Sequence, residues 1–210
     1  IVGTVSSDYR MPSCAVMVQE KLKATNAFAF DISAACAGSL YGLKLANDMI
    51  CNRGAKTVLV IGAEILTRLV DWKDRSTCVL FGDGAGATLL TAHALSSSSD
   101  SCFLSHHFRS DGSLRDILSI PVGGTQFPLT QKNFGSREQF INMNGKEVFK
   151  TAVKHLTISL QNVLEAEKMK ASDIDFLIAH QANMRIIDAV LKKVDIPKEH
   201  LTKRVIVIVC

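Results

Sequence analysis

Short runs of apolar and β-branched residues alternate with stretches of helical periodicity along most of this chain, and that alternation points to a layered α/β architecture. Ala27–Ile32 (AFAFDI) reads as a buried strand. After Cys36, Leu40, Leu43, Ala46 and Ile50 recur at helical spacing until Gly54 ends the pattern, and Thr57–Ile61 (TVLVI) is a β-branched strand. Ala85–Leu90 reads as another strand, and Phe103–Phe108 as one followed by a turn at Ser110-Asp111-Gly112. Pro121–Arg137, rich in Gly and Pro, reads as an irregular loop. A long helix is predicted from near Asn144, because Phe149, Val153, Leu156, Leu160 and Val163 form one apolar stripe. Ile174–Ala179 is then a buried strand, and Asn183–Val194 a second helix with Ile186, Ile187, Val190 and Leu191 inward, ended by Ile196-Pro197.

The polar stretch Ser96–Ser101 is the best internal break, dividing the chain into halves of residues 1–98 and 99–210. At 210 residues, 47% apolar and 21% charged, the chain can bury a core, which excludes intrinsic disorder and a collagen-like fibre. No apolar run approaches the roughly 20 residues of a membrane-spanning helix, and no signal peptide is visible in Ile1–Val5. A soluble globular protein is expected. The net charge of +4 is too mild to demand a nucleic-acid partner. The six cysteines, at 14, 36, 51, 78, 102 and 210, form no C-x-x-C pair, so reduced thiols are expected rather than a disulfide frame or a metal site.

The halves echo each other. Each runs from a strand into a reactive side chain and then into a helix: Asp31-Ile32-Ser33-Ala34-Ala35-Cys36 in the first, Ala179-His180-Gln181-Ala182-Asn183 in the second. Open α/β sheets place their chemistry at such strand ends. Small neighbours (Ala34, Ala35, Ala37, Gly38) give a substrate access to Cys36. A helix N-terminus favours a thiolate there, and its N–H groups can stabilise an oxyanion during acyl transfer. Of the six histidines, His180 alone ends an apolar strand and opens a helix, which makes it the natural partner of a nucleophilic cysteine. Each residue also has a bland alternative: a thiol packed against a helix, and a solvated histidine.

Gly82-Asp83-Gly84-Ala85-Gly86 superficially resembles a dinucleotide loop, but strand-like residues follow it where a helix start is needed, so a tight turn is expected. Lys146, Lys150 and Lys154 share a face of the long helix, and Arg185, Lys192 and Lys193 a face of the second. These cations are either a solvated surface or a docking patch for an acidic partner.

Four segments occur in a telling order: Asp31-Ile32-Ser33-Ala34-Ala35-Cys36-Ala37-Gly38, Phe81-Gly82-Asp83-Gly84-Ala85-Gly86-Ala87, Ser110-Asp111-Gly112-Ser113 and His180-Gln181-Ala182-Asn183-Met184-Arg185-Ile186. Together they resemble β-ketoacyl-acyl-carrier-protein synthase III, the initiating condensing enzyme of type II fatty-acid synthesis, over nearly the whole chain up to about Leu201. The resemblance implies a thiolase-like α/β fold of two related βαβ halves, with mixed sheets and helices in layers. It implies that Cys36 accepts an acyl group from acetyl-CoA or a short acyl-CoA, and that His180 assists decarboxylative attack by malonyl-acyl-carrier protein. It further implies coenzyme A contacts at Arg75 and Asn183, Phe149 in the pantetheine tunnel, and Met11 as a limit on acyl length reaching across a homodimer. Lys150, Arg185, Lys192 and Lys193 match the basic surface that receives the carrier protein. No resident cofactor, metal, membrane or nucleic acid is implied, and the location is a bacterial cytoplasm or a plastid stroma.

The sequence departs from the family at its ends. The family's Asn-Thr-Ser motif after the second helix is missing, the chain closing instead on Lys203-Arg204-Val205-Ile206-Val207-Ile208-Val209-Cys210. The family's adenine-stacking tryptophan is missing too; Trp72 is not that residue. The chain therefore reads as an internal fragment, or as a product with an altered reading frame near its end. The His-Gln-Ala-Asn surround favours the initiating synthase over elongating synthases and plant-type polyketide synthases. A cysteine hydrolase and a non-catalytic acyl-CoA or carrier-binding module remain as other classes, separable by hydrolysis without condensation and by binding without turnover.

Overall fold

The computed structural model describes residues 1–92, 102–195 and 206–209, so the Ser96–Ser101 break and the Ile196-Pro197 stop lie outside the described residues. The chain forms two compact units, Ile1–Leu66 with Asp83–Leu104 and Thr67–Gly82 with Ser105–Cys210.

In the first unit, β1 (Val2–Gly3) is followed by α1 (Cys14–Lys21), β2 (Asp31–Ile32), α2 (Gly38–Cys51), β3 (Thr57–Ile65) and β4 (Asp83–Thr91). They build one mixed sheet of order β2-β1-β3-β4, parallel except for the antiparallel pair β3–β4. Its core holds Val2, Ala15, Ala46 and Val60. Ser13 caps α1 by accepting from the Val16 N–H, while the Asp31 carboxylate accepts from the N–H groups of Cys14 and Ala15, both at 2.8 Å. A carboxylate at a helix N-terminus satisfies donors that the helix itself cannot.

Two expectations need correction here. The strand expected over Ala27–Ile32 is confined to Asp31–Ile32, because β1 offers only Val2 and Gly3 as partners; Phe28 and Phe30 instead stack on each other, centroids 6.2 Å apart. The turn expected at Gly82-Asp83-Gly84 is the start of β4, whose pairing runs Ile65↔Asp83 through Thr57↔Thr91. Nine continuous pairs against β3 outweigh the turn preference of the glycines, and a strand cannot cradle a phosphate as a helix start does.

The second unit holds the short antiparallel pair β5 (Leu118–Ser119) and β6 (Asn142–Met143), then α3 (Gly145–Ala166), β7 (Phe176–Ala179), α4 (Met184–Val194) and β8 (Ile206–Val209), with β7 and β8 parallel. Asn144 caps α3 by accepting from the Glu147 N–H. The predicted stripe is the buried face: Val153, Leu160 and Leu164 pack with Ile174, Ala179, Ile186 and Val190, and Phe149, Leu156 and Val163 flank them. The strand expected at Phe103–Phe108 is absent. Residues 105–108 lie along α3 instead, where Ser105 Oγ donates to the Val163 carbonyl (3.4 Å) and His107 Nδ1 meets Ser159 Oγ (3.0 Å), so side chains replace a ladder. Among the described residues, no helix is long and apolar enough to cross a membrane.

Candidate active site

Cys36 stands in a single 3₁₀ turn, Ala35–Ala37, between the end of β2 and the start of α2. The chain makes this corner through Ala35, whose φ of +45° is a left-handed conformation that an alanine adopts at a cost of roughly 1–2 kcal/mol. The helix behind the corner sits directly on the sheet: a Cβ built on Gly3 would lie 2.7 Å from the Gly38 carbonyl carbon. That close approach fixes where α2 begins. The resulting thiol is exposed and not in a disulfide. The adjoining Asp31 carboxylate is spent on the N-terminus of α1.

His180 follows the last residue of β7, the buried Ala179. The connection to α4 is ordered by side chains: Gln181 Nε2 donates to the Ala179 carbonyl (3.1 Å), and Asn183 caps α4 by accepting from the Arg185 N–H (2.9 Å). The imidazole is exposed. The predicted echo is thus a structural one, since Cys36 and His180 each stand between the C-terminal end of a parallel strand and a helix start.

Cys36 and Met11 belong to the first unit; His180, Asn183, Phe149, Arg75 and the four proposed docking cations belong to the second. Met11 is 86% exposed in the segment before α1. Phe149 is half-buried against the α3–α4 core, and Asn183, also half-buried, already serves as a helix cap. Lys150 on α3 and Arg185, Lys192 and Lys193 on α4 are all exposed, on two helices packed against each other.

Arg75 is exposed in a tight turn that sequence reasoning did not single out as organised. Asp74 accepts from the N–H and Oγ of Ser76 (2.9 and 2.6 Å) and from Thr77 Oγ1 (3.1 Å). Arg137, 63 residues away, donates to the same carboxylate at 2.5 Å and reaches Asp71 at 3.7 Å. The Ser76 hydrogen bonds, with those of Arg137 and Thr77, hold the Asp74 carboxyl down at about 2. Nothing in the spacing of Asp71, Asp74 and Arg137 announces the cluster, because the carboxylates and the guanidinium meet only after folding. Among the described residues, no group of three or more His, Cys, Asp or Glu could hold a metal ion.

Comparison with known proteins bears on this arrangement. Residues 30–112 match the family described as 3-oxoacyl-[acyl-carrier-protein (ACP)] synthase III, and residues 164–207 match its C-terminal part, together more than half of the chain. The chain is 46% identical over 199 residues to the β-ketoacyl-[acyl-carrier-protein] synthase III of Natranaerobius thermophilus, covering 95% of this chain and 60% of that protein. It is 48% identical over 206 residues to that of Wolbachia pipientis wMel, covering 98% and 61%. The crystal structure of 3-oxoacyl-[acyl-carrier-protein] synthase III from Aquifex aeolicus matches with a TM-score of 0.82 at 40% identity, over 99% of this chain and 59% of that one. The chain spans about three fifths of the length of these relatives. The fold is the thiolase-like α/β fold of these synthases.

Proposed function

The chain belongs to the 3-oxoacyl-[acyl-carrier-protein] synthase III family, and from that membership we propose that it carries the acyl-transfer chemistry initiating type II fatty-acid synthesis. The observation that carries this reading is the repeated corner: an exposed thiol and an exposed imidazole, each set past a parallel strand at a helix start.

In the proposed reaction the Cys36 sulfur attacks the thioester carbonyl of acetyl-CoA or a short acyl-CoA. The carbonyl–sulfur bond to coenzyme A breaks, the thiol proton ends on the departing coenzyme A, and the acyl group stays on Cys36. Malonyl-acyl-carrier protein then loses carbon dioxide, and the electron pair of the broken carbon–carbon bond passes into an enolate. His180 donates a hydrogen bond to the malonyl thioester oxygen, where that charge develops. The enolate carbon attacks the acyl-Cys36 carbonyl, releasing the sulfur and a 3-ketoacyl-carrier protein. Arg75 and Asn183 hold the coenzyme A end, Phe149 lines the pantetheine path, and Met11 limits the acyl chain across a homodimer. Lys150, Arg185, Lys192 and Lys193 receive the acidic carrier protein. No resident cofactor is needed. The bacterial relatives support a bacterial cytoplasm as its location, with the plastid stroma as the alternative.

Intact-protein and peptide mass spectrometry after incubation with acetyl-CoA tests the first half-reaction. An acetyl adduct confined to Cys36 and lost in Cys36→Ser is expected. No adduct on a folded sample would refute acyl transfer by this polypeptide and favour a chain that only binds acyl-CoA or carrier protein.

A further inference from the structure

The turn that carries Arg75 is fixed at both ends. Val70 (1% exposed) and Thr77 (fully buried) anchor it, and between them Trp72 and Arg75 stand out into solvent. Inside the turn the Asp71 carboxylate accepts from the Lys73 N–H (2.9 Å), and the Asp74 carboxylate accepts from Ser76 and Thr77. These short-range bonds shape the turn but do not hold it against the rest of the unit.

Arg137 does. Its Nη2 donates to Asp74 and its Nε faces Asp71, so one guanidinium joins both carboxylates on either side of Trp72 and Lys73. Its own segment is docked beside the turn by the Ile141 N–H, which donates to the Leu69 carbonyl at 2.8 Å, and is tied on its other side to Val122, whose N–H donates to the Glu138 carbonyl at 3.0 Å. The third nitrogen, Nη1, is buried with no hydrogen-bond partner among the described residues. An orphaned guanidinium N–H is unfavourable, and it is offset here by the Nη2 hydrogen bond to Asp74 and the ion pair with Asp71. Arginine suits this post because its planar fork engages two acceptors in fixed geometry, which the point charge of a lysine does not.

Resting on the synthase reading above, we infer that Arg137 is a positioning residue for the acyl-CoA substrate: by clamping Asp71 and Asp74 it sets where Arg75 meets the coenzyme A moiety. It acts through Arg75 and touches no substrate itself.

Trp72, the sole tryptophan, lies inside the clamped turn and reports its order directly. The experiment measures coenzyme A binding by calorimetry and Trp72 fluorescence anisotropy on the same samples, for the parent chain, Arg137→Ala, Arg137→Lys, Asp71→Asn and Arg75→Ala, with circular dichroism confirming the fold. Arg137→Ala is expected to lower the anisotropy and weaken coenzyme A binding about ten-fold, the scale of one lost charge-assisted contact. Arg137→Lys recovers part of both, and Asp71→Asn, the milder change, moves both the same way by less. Arg75→Ala weakens binding but leaves the anisotropy at the parent value. Unchanged anisotropy, or unchanged affinity, in folded Arg137→Ala overturns the inference. Failure of the parent itself to bind coenzyme A, or parent-like affinity in Arg75→Ala, marks failure of the synthase reading at this turn and takes the inference with it, whatever the anisotropy shows.

Discussion

At Ala35 and at Asp74 single residues hold geometry that their neighbours only use. The left-handed backbone of Ala35 turns the chain so that Cys36 faces outward immediately before α2, and a side chain larger than alanine would raise the strain already present there. Asp74 shows how a carboxylate can be held in its charged form. Its bonds from Ser76, Arg137 and Thr77 lower it from 3.8 to about 2. A group depressed on folding contributes stability that is fully present above its unfolded value and is lost as pH falls through its folded value. The contribution of this turn is therefore complete above about 4 and disappears as pH falls toward about 2. Trp72 anisotropy followed from pH 5 to 2 should show that loss, and Asp74→Asn should start from a lower anisotropy and lack this component.

Among the elements, α4 joins structure to chemistry most closely. Asn183 caps it through the Arg185 N–H, and its buried face, Ile186 and Val190, meets the stripe of α3. Removing a side-chain cap typically costs about 1 kcal/mol. Asn183→Ala should therefore destabilise the chain by about that amount in urea unfolding. Asn183→Asp, which keeps an acceptor oxygen, should retain most of the stability; reduced coenzyme A affinity in that variant would separate a substrate contact from the capping role. The strands show the complementary case. β4 pairs with β3 along nine residues although Gly84 and Gly86 lie within it, whereas Ala27–Phe30, more apolar in sequence, forms no strand: the Ala27 N–H closes a turn onto the Ala24 carbonyl and the Phe30 carbonyl accepts from the Val2 N–H. Pairing rather than apolar content decides which run becomes a strand.

For the molecule as a whole, a net charge of +4 conceals an uneven distribution, since Lys146, Lys150, Lys154, Arg185, Lys192 and Lys193 are all exposed on two adjoining helices. Charge of this kind acts mainly on encounter rate and is screened by salt. Reversing Lys150 and Lys192 to Glu should slow association with acyl-carrier protein in stopped-flow measurements and flatten its dependence on ionic strength, while coenzyme A affinity stays at the parent value. Equal rates in parent and variant would remove these helices from the docking surface.

The alternation of strand and helix, the starts of α3 and α4, the apolar stripe of α3 and the corner positions of Cys36 and His180 were all legible in the sequence. Each depends on interactions within a few turns of chain or on a periodicity that one segment carries alone. The length of β2, the strand character of Asp83–Gly86, the irregular course of residues 105–108 and the clamp of Arg137 on Asp71 and Asp74 were not. These depend on what the rest of the fold brings alongside: two residues of β1 for the first, the length of β3 for the second, the side of α3 for the third, and a guanidinium 63 residues distant for the last. Local sequence determined the long helices and where the reactive residues stand beside them, because short-range bonding decides both. Only the tertiary structure decided how far the strands extend and which charges hold the turn of Arg75, because the partners in those interactions are far apart in the chain.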